Sequence, residues 1–158
     1  MKKEPRGSFF YSRAGFTMPE LVAVLIIVGI LAAVAVPRFS ATTYGFDELK
    51  FHEQTLAALR YAQHTAVATQ RTVCATFTGG TQLKLTYAPA YGVTACSADL
   101  TPPGGGAPPY TVTAPSGLTY TGATDFTYDR TGRPSAGQTI SMSGGRQVVI
   151  EAETGYVR

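Results

Sequence analysis

Residues 16–36 read FTMPELVAVLIIVGILAAVAV, and from Leu21 to Val36 no side chain is polar. At 1.5 Å per residue these 21 residues form about 31 Å of helix. That matches a bilayer hydrocarbon core of about 30 Å. The segment therefore predicts a membrane anchor at the N-terminal end of the chain. Lys2, Lys3, Arg6 and Arg13 precede it against a single acid, Glu4. Basic residues stay on the cytoplasmic side of a span, so the chain beyond the anchor is expected to be exported.

The sequence has 158 residues and a net charge of +3. Taking the four leader bases and one acid from totals of 13 and 10 leaves nine of each sign in residues 16–158. The basic excess thus belongs to the N-terminal segment, and the body carries no charge signature of a nucleic-acid surface.

Two residues do not suit a plain anchor. Glu20 places a carboxylate at the edge of the apolar run, where it either reaches the headgroups or meets a partner cation in an assembly. Pro19 is tolerated only in a first helical turn, where its missing N–H has no partner to lose. With Thr17 as cap, the helix is expected to begin near Thr17 or Met18. A cleaved secretory signal is the competing reading, because Ala33-Val34-Ala35 has the small-x-small form of a signal-peptidase site. On that reading the mature chain would start at Val36.

The run Arg13-Ala-Gly-Phe-Thr-Met-Pro-Glu-Leu21, followed at once by the apolar helix, resembles the class III signal of type IV pilins and pseudopilins. The resemblance implies cleavage between Gly15 and Phe16 by a prepilin peptidase, and N-methylation of the new terminal Phe16. It also implies that Glu20 acts in assembly, pairing with a terminal amine in the growing fibre. Met18-Pro19 departs from the two aliphatic residues of many major pilins. Pro37 ends the apolar run, and an interior proline kinks or stops a helix; in pilins a proline at this place bends or loosens the long helix.

Beyond Ser40–Thr43, apolar spacing resumes. Leu49, His52, Leu56, Leu59, Gln63 and Val67 step by three or four residues, which predicts one packing face of a continuing helix. The face includes His52 and Gln63, so its partner surface should be partly polar. A catalytic reading of His52 or His64 has no nucleophile or second ligand in support.

From Thr72 onward the composition turns to Thr, Val, Tyr and Gly, as in strands and turns. Val73–Phe77 and Gln82–Tyr87 flank Thr78-Gly-Gly-Thr81, which predicts a hairpin. A third short strand is expected over Tyr91–Cys96. TPPGGGAPP at residues 101–109 reads as a surface loop. Further strands are expected at 110–113, 117–120, 125–128, 139–143 and 147–152, with a last turn and short strand at 154–158.

Cys74 and Cys96 show neither a CxxC pair nor zinc spacing, so no metal site is expected. On an extracytoplasmic side a disulfide is the natural reading, contributing roughly 3 kcal/mol in the chain-entropy model. Two unpaired buried thiols are the alternative.

Phe126-Thr-Tyr-Asp-Arg-Thr-Gly-Arg-Pro134, then Val148-Val-Ile-Glu-Ala-Glu-Thr-Gly-Tyr-Val157, is similar to the pseudopilin H and FimT-type minor pilin domain. So is the alanine-rich run from Ala57. The resemblance implies an α+β fold: a long N-terminal helix whose second half packs on a C-terminal antiparallel β-sheet body. The expected divisions are a leader at 1–15, a membrane or filament-core helix at 16–37, its second half at 38–71 and a β-rich body at 72–158. The implied protein is a minor pilin or pseudopilin, a structural subunit of a type IV pilus-like filament or a type II secretion pseudopilus. It would sit in the bacterial inner membrane as a single pass with a periplasmic body, then pass into the filament. Its implied partners are other pilin or pseudopilin subunits, the prepilin peptidase, the inner-membrane assembly platform and, before assembly, membrane lipid.

A DNA-binding minor pilin is the alternative, with Arg130, Arg133, Arg146 and Arg158 as contacts. Asp129, Glu151 and Glu153 are interleaved among them, and phosphate binding needs a denser basic surface, so nucleic acid is not the expected partner. No nucleophile elbow, phosphate loop or metal spacing occurs. The chain is expected to be no enzyme and to carry no cofactor.

Overall fold

The computed structural model describes residues 15–158, and of residues 36–42 only the helical backbone. The expected leader lies outside the described residues except for Gly15. Two compact units are described separately, one ending at Thr42 and the other spanning Thr43–Arg158.

Helix α1 is assigned over Met18–Thr69. Thr17 stands just before it, and the N–H of Leu21 bonds the Thr17 carbonyl at 3.1 Å. Pro19 falls in the first turn, where no amide bond is sacrificed. The expected kink at Pro37 belongs to the stretch whose side chains lie outside those described.

In the second unit α1 packs on two small antiparallel sheets. The first contains β1 (Val73–Thr78), β2 (Gln82–Tyr87), β3 (Ala98–Asp99), β4 (Tyr110–Thr113) and β6 (Phe126–Tyr128). The second contains β5 (Tyr120–Thr121), β7 (Gln138–Met142) and β8 (Gln147–Ile150), in the order β5-β7-β8. In the first sheet β1 lies between β2 and β6, and β2 carries both β3 and β4 on its other edge. The β1–β2 hairpin pairs Val73 with Tyr87 through to Thr78 with Gln82. Gly79 and Gly80 have φ of 61° and 67°, the sign that a type I′ turn requires at both central positions.

The helix buries a face offset from the expected one. Leu49 and Val67 are 40% and 43% exposed, whereas Phe51, Thr55, Ala58, Leu59, Ala62 and Ala66 are fully buried. The alanines let the helix backbone come close to the sheets, and close packing rewards small residues there over a row of large ones. Val73, Leu83, Leu85, Tyr128, Ile140, Val148 and Val157 complete the core from the strand side. Thr55 is buried with its hydroxyl satisfied, donating to the Phe51 carbonyl at 2.8 Å with the Tyr120 hydroxyl 2.9 Å away. Burial pushes the Tyr120 hydroxyl up to about 12, against the opposing effect of its hydrogen bond with Thr55.

No strand forms over 91–96. Gly92 adopts φ of 79°, which breaks the extended run, and an irregular loop carries Cys96 back to β1 instead. There it forms a disulfide with Cys74, the Cα atoms 6.1 Å apart. β8 is shorter than expected, ending at Ile150, because residues 151–154 turn so that Val157 can bridge Ile150. Replacing Cys74 by Ser should cost roughly 3 kcal/mol, from the 22-residue separation of the pair. Urea unfolding of the oxidised wild type and the variant checks this.

Tyr128 is fully buried, and its hydroxyl has no hydrogen-bond partner among the described residues. Burial raises its pKa well above the ordinary value of 10.0. A buried hydroxyl without a partner is a cost, so Tyr128→Phe should be neutral or stabilise by about 1 kcal/mol. A clear drop in the urea midpoint would contradict that account.

Candidate functional site

The N-terminal unit presents an unusual surface. Met18–Ala35 has a mean hydropathy of 2.5 and none of it is buried. Leu21, Val24, Leu25, Ile26, Ile27, Val28, Ile30, Leu31 and Val34 are each between 48% and 64% exposed. A helix apolar on every side is not a surface helix of a soluble domain; it belongs in lipid or in a packed helical core.

Gly15, Phe16 and Thr17 precede the helix in non-helical conformation. Phe16 is 79% exposed, and among the described residues no atom lies within 4 Å of where a Gly15 Cβ would be. Glu20 is the acid of the first turn. Its carboxylate reaches back to accept from the Thr17 N–H at a long 3.5 Å, the return half of a capping box. The carboxylate thus points back at the residues that precede the helix.

In the second unit, Gln63 ties the helix to both late glycine turns. Its Nε2 donates to the carbonyl of Gly132 at 3.1 Å and to that of Thr154 at 2.9 Å. Arg60 donates from Nε and one terminal nitrogen to the Val157 carbonyl at 3.1 and 3.0 Å. The partly polar face expected from His52 and Gln63 therefore meets backbone carbonyls. The His52 ring lies 3.2 Å from the Gln147 carbonyl and 3.2 Å from a Glu53 oxygen, which is a packing role. His64 is exposed. Among the described residues no three His, Cys, Asp or Glu side chains are grouped to hold a metal.

The four late arginines have separate engagements. Arg133 pairs with Glu153, and Arg146 with Glu48 at 3.4 Å. Arg130 donates to the Tyr91 hydroxyl at 2.9 Å. The backbone of Arg158 pairs with Val149. The Arg146–Glu48 pair was not foreseeable from sequence, because it joins residues nearly a hundred positions apart.

Asp129 organises the turn before Gly132. Slight burial would raise its pKa, but it is held below the ordinary 3.8. The causes are hydrogen bonds from the Thr131 hydroxyl and the Arg133 and Thr131 amides, and the Arg133 charge. A depressed carboxylate contributes stability that is complete above its ordinary value and is lost as pH falls through the folded one. The difference in stability between wild type and Asp129→Asn should therefore shrink as pH is lowered below about 4, as urea midpoints across an acid series would record.

Residues 11–36 match the model of the prokaryotic N-terminal methylation motif. Among solved structures, the chain is similar to two crystal structures of the type IV minor pilin FimU of Pseudomonas aeruginosa strain PAO1. In one space group the identity is 18% and the TM-score 0.51, over 70% of this chain and 90% of that one. In the other, identity is 19% and TM-score 0.52, over 74% and 90%. At this identity the likeness is one of fold: an α+β chain with the minor pilin arrangement of helix and antiparallel strands. No curated protein matches the sequence. The motif match is confined to the N-terminal stretch, and the likeness to the solved structures is one of fold.

Proposed function

We propose that this chain is a minor pilin or pseudopilin, a structural subunit held in a bacterial inner membrane by α1 and then packed into a type IV pilus-like filament or a type II secretion pseudopilus. The observation that carries this reading is the wholly exposed apolar helix over Met18–Ala35, directly behind a methylation motif and an exposed Phe16. Cleavage by a prepilin peptidase would release Phe16 as the mature terminus, and methylation would follow on its amine. The basic leader keeps that end in the cytoplasm, with the body on the other side of the membrane. In the filament, lipid contacts of α1 are exchanged for contacts with the helices of other subunits, and the assembly platform of the inner membrane drives the exchange. The disulfide suits an oxidising compartment for the body.

Intact-mass spectrometry of the protein from its native host tests the reading. The expected species begins at Phe16 and carries one N-methyl group. A chain beginning at Val36 would overturn the anchor, and with it the filament role.

A further inference from the structure

The end of α1 is closed by a residue that is unusual there. Gln70 takes φ of 54°, the left-handed conformation normally given to glycine at this position. The Arg71 N–H then bonds the Ala66 carbonyl at 3.2 Å, the 6→1 bond of a Schellman cap. The cap sets Arg71 at the lip of an open groove of about 420 Å³, whose walls include Tyr61, Thr65, Tyr87 and Thr101. Small-molecule sites occupy about 300–1,000 Å³.

The groove's polar groups are fixed but largely unspent. Tyr61 is held by its hydroxyl, which donates to the Thr101 carbonyl at 3.1 Å, and by an edge-on contact with the Tyr110 ring at 5.8 Å. The Arg71 guanidinium lies 5.8 Å from the centre of the Tyr87 ring. Among the described residues Arg71 has no ion pair and no side-chain hydrogen bond, and the hydroxyls of Thr65, Tyr87 and Thr101 have no internal partner. Asp99, the acid nearest in sequence on this side, is already paired with Lys84 at 3.1 Å. What remains is one guanidinium fork over the Tyr87 ring, three hydroxyls and the Tyr61 ring.

That set suits an acidic, hydroxyl-rich ligand. A guanidinium fork donates to a single carboxylate, a tyrosine ring packs against the C–H face of a sugar ring, and hydroxyls exchange hydrogen bonds with other hydroxyls. A polynucleotide needs several cations to neutralise consecutive phosphates, and the groove has one. We propose that this groove binds a carboxylated sugar, a uronic-acid unit of a glycan. The site is independent of the filament reading, since it lies wholly within the second unit.

The test is isothermal titration of the full chain in detergent micelles with trigalacturonate. Saturable binding is expected, at least tenfold weaker for the neutral galactose trisaccharide and for Arg71→Gln. Thr65→Ala, a change of one surface hydroxyl, should weaken it several-fold and covers the case in which Arg71→Gln alters the cap. Absence of saturable binding, equal binding of the neutral trisaccharide, unchanged affinity in both variants, or displacement by a single-stranded oligonucleotide or an acidic peptide at lower concentration would each overturn the proposal.

Discussion

Gly155→Ala should unfold the C-terminal end of the body. Gly155 has φ of 71°, and a Cβ there would collide with the Gly132 carbonyl oxygen and lie 2.7 Å from Gln63 Nε2. The first obstacle is backbone and cannot swing aside. It belongs to the turn that Asp129 holds through Thr131 and Arg133, and it accepts from Gln63. Relief of the clash must therefore break the Gln63 bonds, loosen the Asp129 turn or expel the 155–158 segment that buries Val157. The left-handed backbone costs a β-carbon about 1–2 kcal/mol, and each buried partner left unmatched adds about 1–3 kcal/mol. A loss of about 4 kcal/mol is expected, read as a large fall in urea midpoint. Gly92→Ala is the matched control. Its φ is 79°, with no atom within 4 Å of the added carbon, so it should lose only about 1 kcal/mol. Equal, mild effects at the two glycines would refute the steric argument.

The second large effect concerns Glu20. Glu20→Val should leave the subunit in the membrane but lower its incorporation into filaments at least tenfold. A purely anchoring helix makes the opposite forecast, since removing the only ionisable side chain of Met18–Ala35 makes the span more apolar. The carboxylate's contact with the Thr17 N–H is long at 3.5 Å, so little is lost within the subunit itself. The cost falls where a partner amine would meet the acid. Tenfold corresponds to about 1.4 kcal/mol, modest for a charge pair shielded from water. Glu20→Gln should retain part of the activity. Quantifying subunit in sheared filaments against subunit in membranes separates the two accounts, and unchanged incorporation would remove Glu20 from assembly.

Local signals were legible in the chain, and long-range choices were not. Leu21–Val36 announces itself by composition, and the Gly79-Gly80 turn locates the first hairpin. The Cys pairing followed from compartment rather than geometry. Small residues do the packing: the spacing of large apolar side chains selects Leu49 and Val67, while the close approach to the sheets is made by Ala58, Ala62 and Ala66. The expected strand at 91–96 failed because one backbone dihedral, at Gly92, overrode the residues around it. Division of the strands into two sheets depends on pairings such as Val73 with Tyr128, which no local pattern specifies. The groove beside Arg71 is hidden from local patterns for the same reason. Its walls come from α1, β2 and the loop after β3, and only Gln70 in a left-handed cap sets the arginine there.

The cross-link at Cys74 also bears on the order of events as the chain folds. The loop it closes contains β2 and the irregular return to Cys96, and neither β6 nor any strand of the second sheet. Yet β6 is the strand that lies against Cys74 on its other side, Thr127 opposite the cysteine. Oxidation therefore needs only residues up to Cys96 to have met an oxidant, and the contacts that precede it are short in sequence. An oxidase that acts on the nascent hairpin finds Cys74 open along one edge. One that arrives after β6 has docked finds it enclosed by strands on both sides.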